Sequence, residues 1–346
     1  MPDQRQLKIV INTHYDSSGT KVCVEDLSPR LKLAGHQVVH NDWDHYDKYQ
    51  LAIFMSPDAA ITQAKAQNPS IKTCIMNPMT DYPALQCNAR SADALIVGSL
   101  EQRDEQLKYN QNIFIYYMFP DIQPMFKHHV PKNPIIIGYH GNKEHLINFS
   151  PHINLALDQL AEHYPAELWL MYNISKLGQV IKRLPRVIKI RHIQWSPANY
   201  HQLLSQCDIG LVNNVIPTPH NYLHLFNQPL TRYLRFNLRP YRAHDTQIRF
   251  KYGTNPGRVY VFSQLGIPVI SDFAPSMSQV IRDGYSGLIV NSSAGWYHAL
   301  QNLATNHELR QFYSDNLRHY INHNFSIDGN FLQLNKFFLH LCLNNH

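Results

Sequence analysis

The chain has 346 residues, of which 44% are hydrophobic and 16% are charged, and its formal net charge at pH 7 is +6. This composition excludes a disordered or fibrous protein, and the length allows two domains with full hydrophobic cores. The positive charge favours an anionic partner, such as a nucleotide, an acidic membrane surface or a phosphorylated lipid carrier, although it is also ordinary for a chain of this size.

The cysteines and the apolar pattern bear on the cell compartment. The five cysteines are odd in number, widely separated and free of C-x-x-C pairs, which predicts reduced thiols in the cytosol and argues against a zinc site. The start of the chain lacks the features of a signal peptide, and the sequence has no run of about 18 apolar residues. We therefore expect a soluble, cytoplasmic protein without disulfide bonds.

Strand and helix signals alternate along the first third of the chain, which indicates a parallel sheet with helices on both faces. The predicted strands are 7–12, 36–40, 49–55, 71–77, 91–99 and 112–118, and the predicted helices are 21–35, 59–69 and 101–109. The loop THYDSSG follows the first strand, and its Gly19 is either a ligand-binding glycine or part of a plain turn. The segment 119–134 is rich in proline and polar residues, so we place an interdomain linker there.

A second alternation follows the linker. The predicted strands are 134–141, 166–173, 187–195 and 208–214, and the predicted helices are 151–164 and 198–207. Ligands of such sheets bind beyond the carboxyl ends of the strands, so the loops 138–145, 172–176 and 213–221 form the predicted nucleotide wall. The substrate-binding candidates in these loops are His140, Asn142, Lys143 and Lys176.

The stretch from 251 to 265 contains the turn TNPG and then an apolar helix that ends at Gly266, where a left-handed residue is favoured. Such a helix directs its N-terminal amides, together with Arg258 in its first turn, at an anion. A diphosphate is held in this way. The candidate contacts are Thr254, Asn255, Gly257 and Arg258.

The next residues predict a short buried strand, a second helix and a further buried strand. The strand is 268–271, the helix begins with a hydroxyl cap at Ser276 and ends at Gly284, and the second strand is 287–290. Ser276 and Gln279, both on this helix, are further substrate-binding candidates.

This half of the chain resembles the donor-sugar half of GT-B glycosyltransferases of the group 1, family 4-like type, which use nucleotide-activated sugars. It contains the G-x-P-V-I strand, the D-G-x-x-G-x-L-V turn and the F-S near the C-terminus that are typical of that family. The matching residues are Gly266, Pro268, Val269, Ile270, Asp283, Gly284, Gly287, Leu288, Val290, Phe325 and Ser326. The pattern A-G-H-x-V at 34–38, the sequence ADALIVGS at 92–99 and the loop with Gly19 are similar to the N-terminal half of the same enzymes.

The resemblance implies an α/β protein of two Rossmann-like domains that face each other across a cleft. It implies an acceptor domain at 1–125 and a nucleotide-sugar donor domain at 134–322. A C-terminal helix, within 323–346, would pack back toward the N-terminal domain, because NFLQLNKFFLHLCL has apolar residues at helical spacing and must be buried against another element.

The chain departs from the family pattern at its carboxylates. The commonest retaining members carry two glutamates at the positions of Gly253 and Val261, and a further glutamate at the position of Gln279. A branch of the family instead has an Asn/Lys-x-x-Arg element at the helix start, which Asn255 and Arg258 resemble. The expected contact of Arg258 with the diphosphate is therefore retained. The stereochemistry of the reaction, inverting or retaining, stays open.

The function that the resemblance implies is metal-independent transfer of a sugar from a nucleotide sugar to a saccharide or glycolipid, in bacterial surface polysaccharide or glycolipid synthesis. No cofactor is expected beyond the donor substrate itself. The single D-x-D sequence, Asp42-Trp43-Asp44, is interpreted as a surface loop and not as a metal site. The alternatives are a non-catalytic nucleotide- or sugar-binding partner of another transferase, and an epimerase or hydrolase with the same doubled architecture.

The residues have separate expected roles. Arg258 is expected to neutralise the leaving nucleotide, with Lys143 or Lys176 as a second cation. If the reaction inverts, a base in the N-terminal half must take the proton of the acceptor hydroxyl. The candidates for that base are Asp16, Asp81 and His14.

The segment 231–251 is strongly basic and interleaved with aromatic residues. Arg232, Arg235, Arg239 and Arg242 share one face if the segment is helical. This arginine face is either an ordinary solvated surface or a contact for an anionic acceptor or membrane. Nucleic-acid binding would require more such clusters and a known module, so we expect none.

Replacing Arg235 and Arg239 by glutamate should weaken binding to anionic vesicles at low salt and reduce its salt dependence, while nucleotide affinity stays unchanged. The physical reason is that basic side chains near an anionic surface are attracted by a screened charge interaction. Co-sedimentation with phosphatidylserine vesicles at two salt concentrations measures the effect. Equal vesicle binding by the wild type and the variant would identify this face as an ordinary solvated surface.

Overall fold

The computed structural model describes residues 6–14, 21–55, 59–79, 82–147, 149, 151–214, 250 and 253–343. These residues form two parallel sheets of six strands each, surrounded by helices. The predicted α/β class with two Rossmann-like sheets is therefore confirmed. The arginines of the predicted basic face lie outside the described residues.

The N-terminal sheet has the strand order β2-β1-β3-β4-β5-β6. Its strands are β1 (Lys8–Thr13), β2 (Gln37–His40), β3 (Leu51–Met55), β4 (Lys72–Met76), β5 (Ala94–Val97) and β6 (Ile113–Ile115). Its helices are α1 (Leu27–Leu33), α2 (Ile61–Gln67), α3 (Pro83–Ser91) and α4 (Leu100–Gln106), with a π-helical turn at Lys21–Glu25 and a 3₁₀ turn at Tyr46–Lys48. β3 and β5 are buried along their whole length, as expected for parallel strands covered on both faces.

The C-terminal sheet has the strand order β12-β11-β10-β7-β8-β9. Its strands are β7 (Ile135–His140), β8 (Ala166–Tyr172), β9 (Lys189–Gln194), β10 (Ile209–Val212), β11 (Val269–Ser271) and β12 (Leu288–Ile289). Its helices are α5 (Lys143–Ile147), α6 (Pro151–His163), α7 (Ile174–Leu177), α8 (Tyr200–Leu204), α9 (Gly257–Gln264), α10 (Pro275–Val280), α11 (Ser293–Thr305) and α12 (His307–Asn324). The strand order reverses between β7 and β10, so the connections after these two strands run to opposite sides and leave a crevice at their carboxyl ends.

The last helix, α13 (Ile327–Leu343), returns to the first half of the chain. Leu334 and Phe338 are fully buried within the core of the N-terminal sheet. At the start of α13, Asp328 accepts from Arg30 of α1 at 2.5 Å, and the same guanidinium contacts Asp121 at 2.9 Å. No helix within the described residues is long and apolar enough to cross a membrane.

Three local predictions were wrong. The predicted helix 21–35 is split into a π-helical turn and α1. Ser276 does not cap α10, because Pro275 occupies the first turn, where its fixed φ is favourable, and the helix ends at Val280. The predicted buried strand 287–290 has only two strand residues, and both are half-buried at the edge of the sheet. By contrast, Gly266 follows α9 with φ +68°, as predicted.

Leu334→Ala should lower the free energy of unfolding by about 2–5 kcal/mol, because the substitution leaves a cavity in the core of the N-terminal sheet. Leu332→Ala is the matched control, since this leucine lies on the same helix and is 50% exposed, so it should cost about 1 kcal/mol or less. Urea unfolding measures both. Equal effects of the two variants would contradict the docking of α13 on this sheet.

Candidate functional site

The candidate site lies at the crevice between the carboxyl ends of β7 and β10. The start of α9 reaches this crevice, and Arg258 is the second residue of that helix. Arg258 Nη2 donates to the backbone oxygen of Asn213 at 2.7 Å and to Oδ1 of Asn214 at 2.6 Å. Its guanidinium carbon lies 5.7 Å from the ring centre of Tyr139, at the end of β7. The guanidinium is thus fixed from two strands.

The second amino group of this guanidinium has no such contact. Arg258 Nη1 is buried and has no hydrogen-bond partner among the described residues. A buried donor on a charged group costs free energy when it is unsatisfied. The arrangement is therefore suited to an anion that accepts from Nη1.

A buried carboxylate fixes the orientation of Asn214. Asp272 follows β11 and is 3% exposed. Both of its oxygens accept from the backbone nitrogen of Asn214 at 2.8 Å, and Oδ1 also lies 3.4 Å from Asn214 Nδ2. Because the amide nitrogen faces a carboxylate, the amide oxygen faces the other way, toward Arg258.

His140 and Asn213 contribute two more buried polar atoms to the crevice. His140, the last residue of β7, is 8% exposed, and its Nε2 has no partner among the described residues. Burial lowers the pKa of His140 to about 3, and the charge of Arg258 adds to the effect, so the ring is neutral at pH 7. Asn213 Nδ2 donates to the backbone oxygen of His145 at 3.0 Å, whereas Asn213 Oδ1 is also without a partner in the described part of the chain.

The start of α9 is packed against the N-terminal half. Asn255 Oδ1 accepts from the backbone nitrogen of Gly257 at 2.9 Å. A Cβ on Gly98, which follows β5, would lie 2.8 Å from Asn255 Nδ2, so a larger residue at this position would displace the Asn255 side chain. Thr254 is buried beside them. The predicted diphosphate contacts Thr254, Asn255, Gly257 and Arg258 are thus brought together at one helix end.

The other predicted residues of the C-terminal loops are placed differently. The amine of Lys143 donates to the backbone oxygen of Leu177, so it is tied to the last residue of α7. Lys176 is exposed on α7, and Asn142 is exposed with its backbone oxygen accepting from Tyr139 at 2.9 Å. Neither lysine shares a hydrogen bond with the residues around Arg258, and their role as a second cation stays a prediction.

Ser276 and Gln279 lie at a contact between the two halves of the chain. Ser276 Oγ donates to Oε1 of Glu101 on α4 at 2.7 Å, and the phenol of Tyr117 hydrogen-bonds to the side chain of Gln279. Both pairs join α10 to the N-terminal half. These side chains already have protein partners, and their substrate-binding role stays a prediction.

In the loop Asp42-Trp43-Asp44, the carboxylate of Asp42 is held by other side chains of the protein. Asp42 accepts from Tyr49 at 2.7 Å and lies 2.8 Å from the ring of His45, and the Tyr49 hydrogen bond lowers the pKa of Asp42 to about 2. His14 stacks on Trp43 with ring centres 4.3 Å apart. Within the described residues, no group of His, Cys, Asp or Glu could hold a metal ion.

Three predicted site residues, Asp16, Gly19 and Asp81, lie outside the described residues. The structure adds residues that the sequence did not single out, namely Tyr139, Asn214 and Asp272. A usable signal existed for Asp272, because it is a carboxylate directly after the apolar strand PVIS, at the edge where ligands bind. Asn213 and Asn214 fell within the predicted loop 213–221, but no motif distinguished them.

No protein-family model and no curated protein matches the sequence. Solved structures do match. A glycosyltransferase from Rickettsia africae is 13% identical, over 98% of this chain and 100% of that chain, with a TM-score of 0.67. Sucrose-phosphate synthase from Thermosynechococcus elongatus is 11% identical, over 97% and 99%, with a TM-score of 0.63. HepE from Anabaena in complex with UDP-glucose is 13% identical, over 95% and 98%, with a TM-score of 0.60.

At these identities the likeness establishes the fold. The two parallel sheets and their flanking helices are those of the GT-B architecture, which confirms the fold that the sequence motifs predicted. The activity of the matched proteins is a property of those proteins.

The buried His140 should make stability depend on pH. Its pKa is about 3 in the folded protein and about 6.5 in an unfolded chain. Above about pH 6.5 the ring is neutral in both states, and below it only the unfolded chain binds a proton, so stability is lost as the pH falls. His140→Gln should therefore remove about 2 kcal/mol of the loss between pH 7 and pH 5.

Urea unfolding at the two pH values measures this loss. His298→Gln, at an exposed position on α11, is the matched control and should keep the wild-type pH dependence. The same loss in the wild type and in His140→Gln would contradict the assigned protonation state.

Proposed function

We propose that this protein is a glycosyltransferase that moves a sugar from a nucleotide-sugar donor to a saccharide or glycolipid acceptor. The observation that carries the proposal is the guanidinium of Arg258, held through Nη2 while the buried Nη1 has no partner among the described residues. It lies at the switch point of a sheet whose fold is shared with HepE, a protein crystallised with UDP-glucose. The fold and the unpaired cation support the same ligand class.

The proposed chemistry is mainly electrostatic. When the bond between the sugar and the nucleotide breaks, negative charge develops on the leaving phosphate, and a fixed cation stabilises that charge without reorganising. Arg258 is such a cation, because Asn214 and the Asn213 carbonyl hold it in place. The amino end of α9 adds a partial positive charge at the same position. We propose that these groups make the transfer independent of a metal ion.

Several parts of the proposal rest on the sequence. The acceptor domain is assigned to residues 1–125 and the donor domain to residues 134–322. Asp16, Asp81 and His14 remain the candidates for a base, and Lys143 or Lys176 for a second cation. A cytoplasmic location, with or without peripheral contact at the inner face of the membrane, and a role in bacterial surface polysaccharide or glycolipid synthesis complete the proposal. A galactosyltransferase of the lipopolysaccharide outer core, WaaB, is among the structures of the same fold.

A non-catalytic nucleotide- or sugar-binding protein is the second candidate. The observation that favours it is the absence of the family's glutamates, since Gly253 and the buried Val261 occupy their positions. Hydrolysis of a panel of UDP-, GDP- and CMP-sugars separates the two candidates. Turnover supports the transferase, whereas binding without turnover, in the presence of saccharide acceptors, supports the second candidate.

Arg258→Ala should lower transfer or donor hydrolysis by about 100-fold or more, because a cation on the leaving phosphate typically contributes a few kcal/mol to the transition state. Arg258→Lys should recover only part of the rate, since an ammonium cannot contact Asn214 and a phosphate through two arms. Steady-state kinetics with the best donor of the panel measures both variants.

Arg282→Ala is the matched control for Arg258→Ala. Arg282 is an exposed arginine of the same domain, stacked on Tyr285 with its guanidinium carbon 5.4 Å from the ring centre. It should keep the wild-type rate. Near wild-type activity of Arg258→Ala would overturn the proposed role.

A further inference from the structure

We infer that His140 and Asn213 accept hydrogen bonds from a hydroxyl-bearing part of the donor, directly beside the phosphate held by Arg258. The inference rests on the proposed function and assigns to that site two specificity-determining residues. It follows from counting which buried atoms beside Arg258 can donate a hydrogen bond and which can only accept one.

The ring of His140 presents an acceptor. Burial holds the pKa of His140 at about 3, so the ring is neutral at pH 7 and carries one proton. Its Nε2 is buried and has no partner in the described part of the protein. We assign the proton to Nδ1, so that Nε2 is a lone pair in a buried position.

The side chain of Asn213 presents a second acceptor. Its Nδ2 donates to the backbone oxygen of His145 at 3.0 Å, which fixes the orientation of the amide. Asn213 Oδ1 then faces away from that carbonyl and is buried, with no hydrogen-bond partner among the described residues. The backbone oxygen of the same residue accepts from Arg258, so Asn213 and the guanidinium are direct neighbours.

The three unsatisfied atoms define the chemistry of a complementary ligand. Arg258 Nη1 can only donate, whereas Asn213 Oδ1 and, in the assigned tautomer, His140 Nε2 can only accept. An ionised phosphate satisfies the guanidinium but offers no proton to the other two atoms. A sugar hydroxyl offers one. A glycosyl or ribosyl phosphate therefore satisfies all three atoms, and a bare phosphate leaves two acceptors buried and unpaired, which disfavours it.

The positions that carry glutamates in the resembling enzymes cannot supply these acceptors. Gly253 has no side chain, and Val261 is an apolar side chain that is 2% exposed. In this protein the neutral acceptors at the ends of β7 and β10 are available for hydroxyl contacts, in place of those glutamates. The ribose and the transferred sugar both carry such hydroxyls, and the experiment shows which of the two is bound by these acceptors.

The test compares donors with and without single hydroxyls. UDP-glucose, GDP-mannose and CMP-N-acetylneuraminic acid are first titrated by calorimetry, and the tightest ligand is then compared with analogues that lack one hydroxyl on the ribose or on the sugar. We expect the wild type to bind the intact donor about 10- to 100-fold more tightly than at least one analogue. The ring that carries that hydroxyl, either the ribose or the sugar, is then the part of the donor that His140 and Asn213 bind.

Two variants remove the acceptors and keep the approximate shape of the side chains, His140→Phe and Asn213→Leu. At least one of them should reduce the ratio between intact and deoxy donor to about 1, while the affinity for inorganic diphosphate stays within about threefold of the wild type. Asn213→Asp, which keeps an acceptor oxygen, should retain more of the ratio than Asn213→Leu. Thermal unfolding confirms that each variant is folded at the assay temperature.

His129→Phe is the matched control. His129 is 2% exposed with an unpaired Nδ1 in the described structure, but its Nε2 bonds to the backbone oxygen of Gly266 at the opposite end of α9. It should keep the wild-type ratio. An unchanged ratio in both His140→Phe and Asn213→Leu, or no dependence on any hydroxyl in the wild type, would overturn the inference alone. If the wild type binds none of the three nucleotide sugars, the proposed function is overturned, and this inference with it.

Discussion

The geometry of the candidate site depends on one buried carboxylate. Asp272 holds Asn214 by its backbone and its amide, and Asn214 in turn holds one amino group of Arg258. The carboxylate follows β11, the amide follows β10 and the guanidinium belongs to α9, so three elements are tied together at one point. A guanidinium oriented in this way has lost its rotational freedom before any ligand arrives, which is the condition for strong electrostatic stabilisation of a developing charge.

The same helix start also joins the two halves of the chain. Asn255 packs against Gly98, a Cβ on Gly257 would lie 3.2 Å from the backbone oxygen of Met118, and α10 contacts α4 through Ser276 and Glu101. The N-terminal sheet in turn carries α13, whose apolar side chains complete its core. A change in the relative position of the two sheets would therefore move the residues around Arg258, and we expect substitutions at these contacts to affect the site.

The site differs from a carboxylate-based one in the type of its polar groups. A guanidinium, a neutral imidazole and two amides surround the crevice, and the carboxylate of Asp272 lies behind them, bound to Asn214. This arrangement leaves a positive centre for a phosphate and neutral acceptors beside it. The proposed functions share this requirement, because a transferase and a binding protein for nucleotide sugars must both recognise a phosphate next to hydroxyls.

The sequence by itself determined the alternation of strands and helices, the two parallel sheets, the left-handed Gly266 after α9 and the position of Arg258 at a helix start. These features depend on local patterns, namely apolar runs, turn residues and the spacing of short motifs. Only the tertiary structure decided that Asp272 would hold Asn214, which lies 58 residues earlier in the sequence. It also decided that Asn214 would hold the guanidinium of Arg258, which lies 44 residues later. It also showed that Ser276 contacts Glu101, 175 residues away, and does not cap its own helix. Such pairings arise when strands distant in the sequence become neighbours in a sheet, and no local pattern of residues records which side chains then meet.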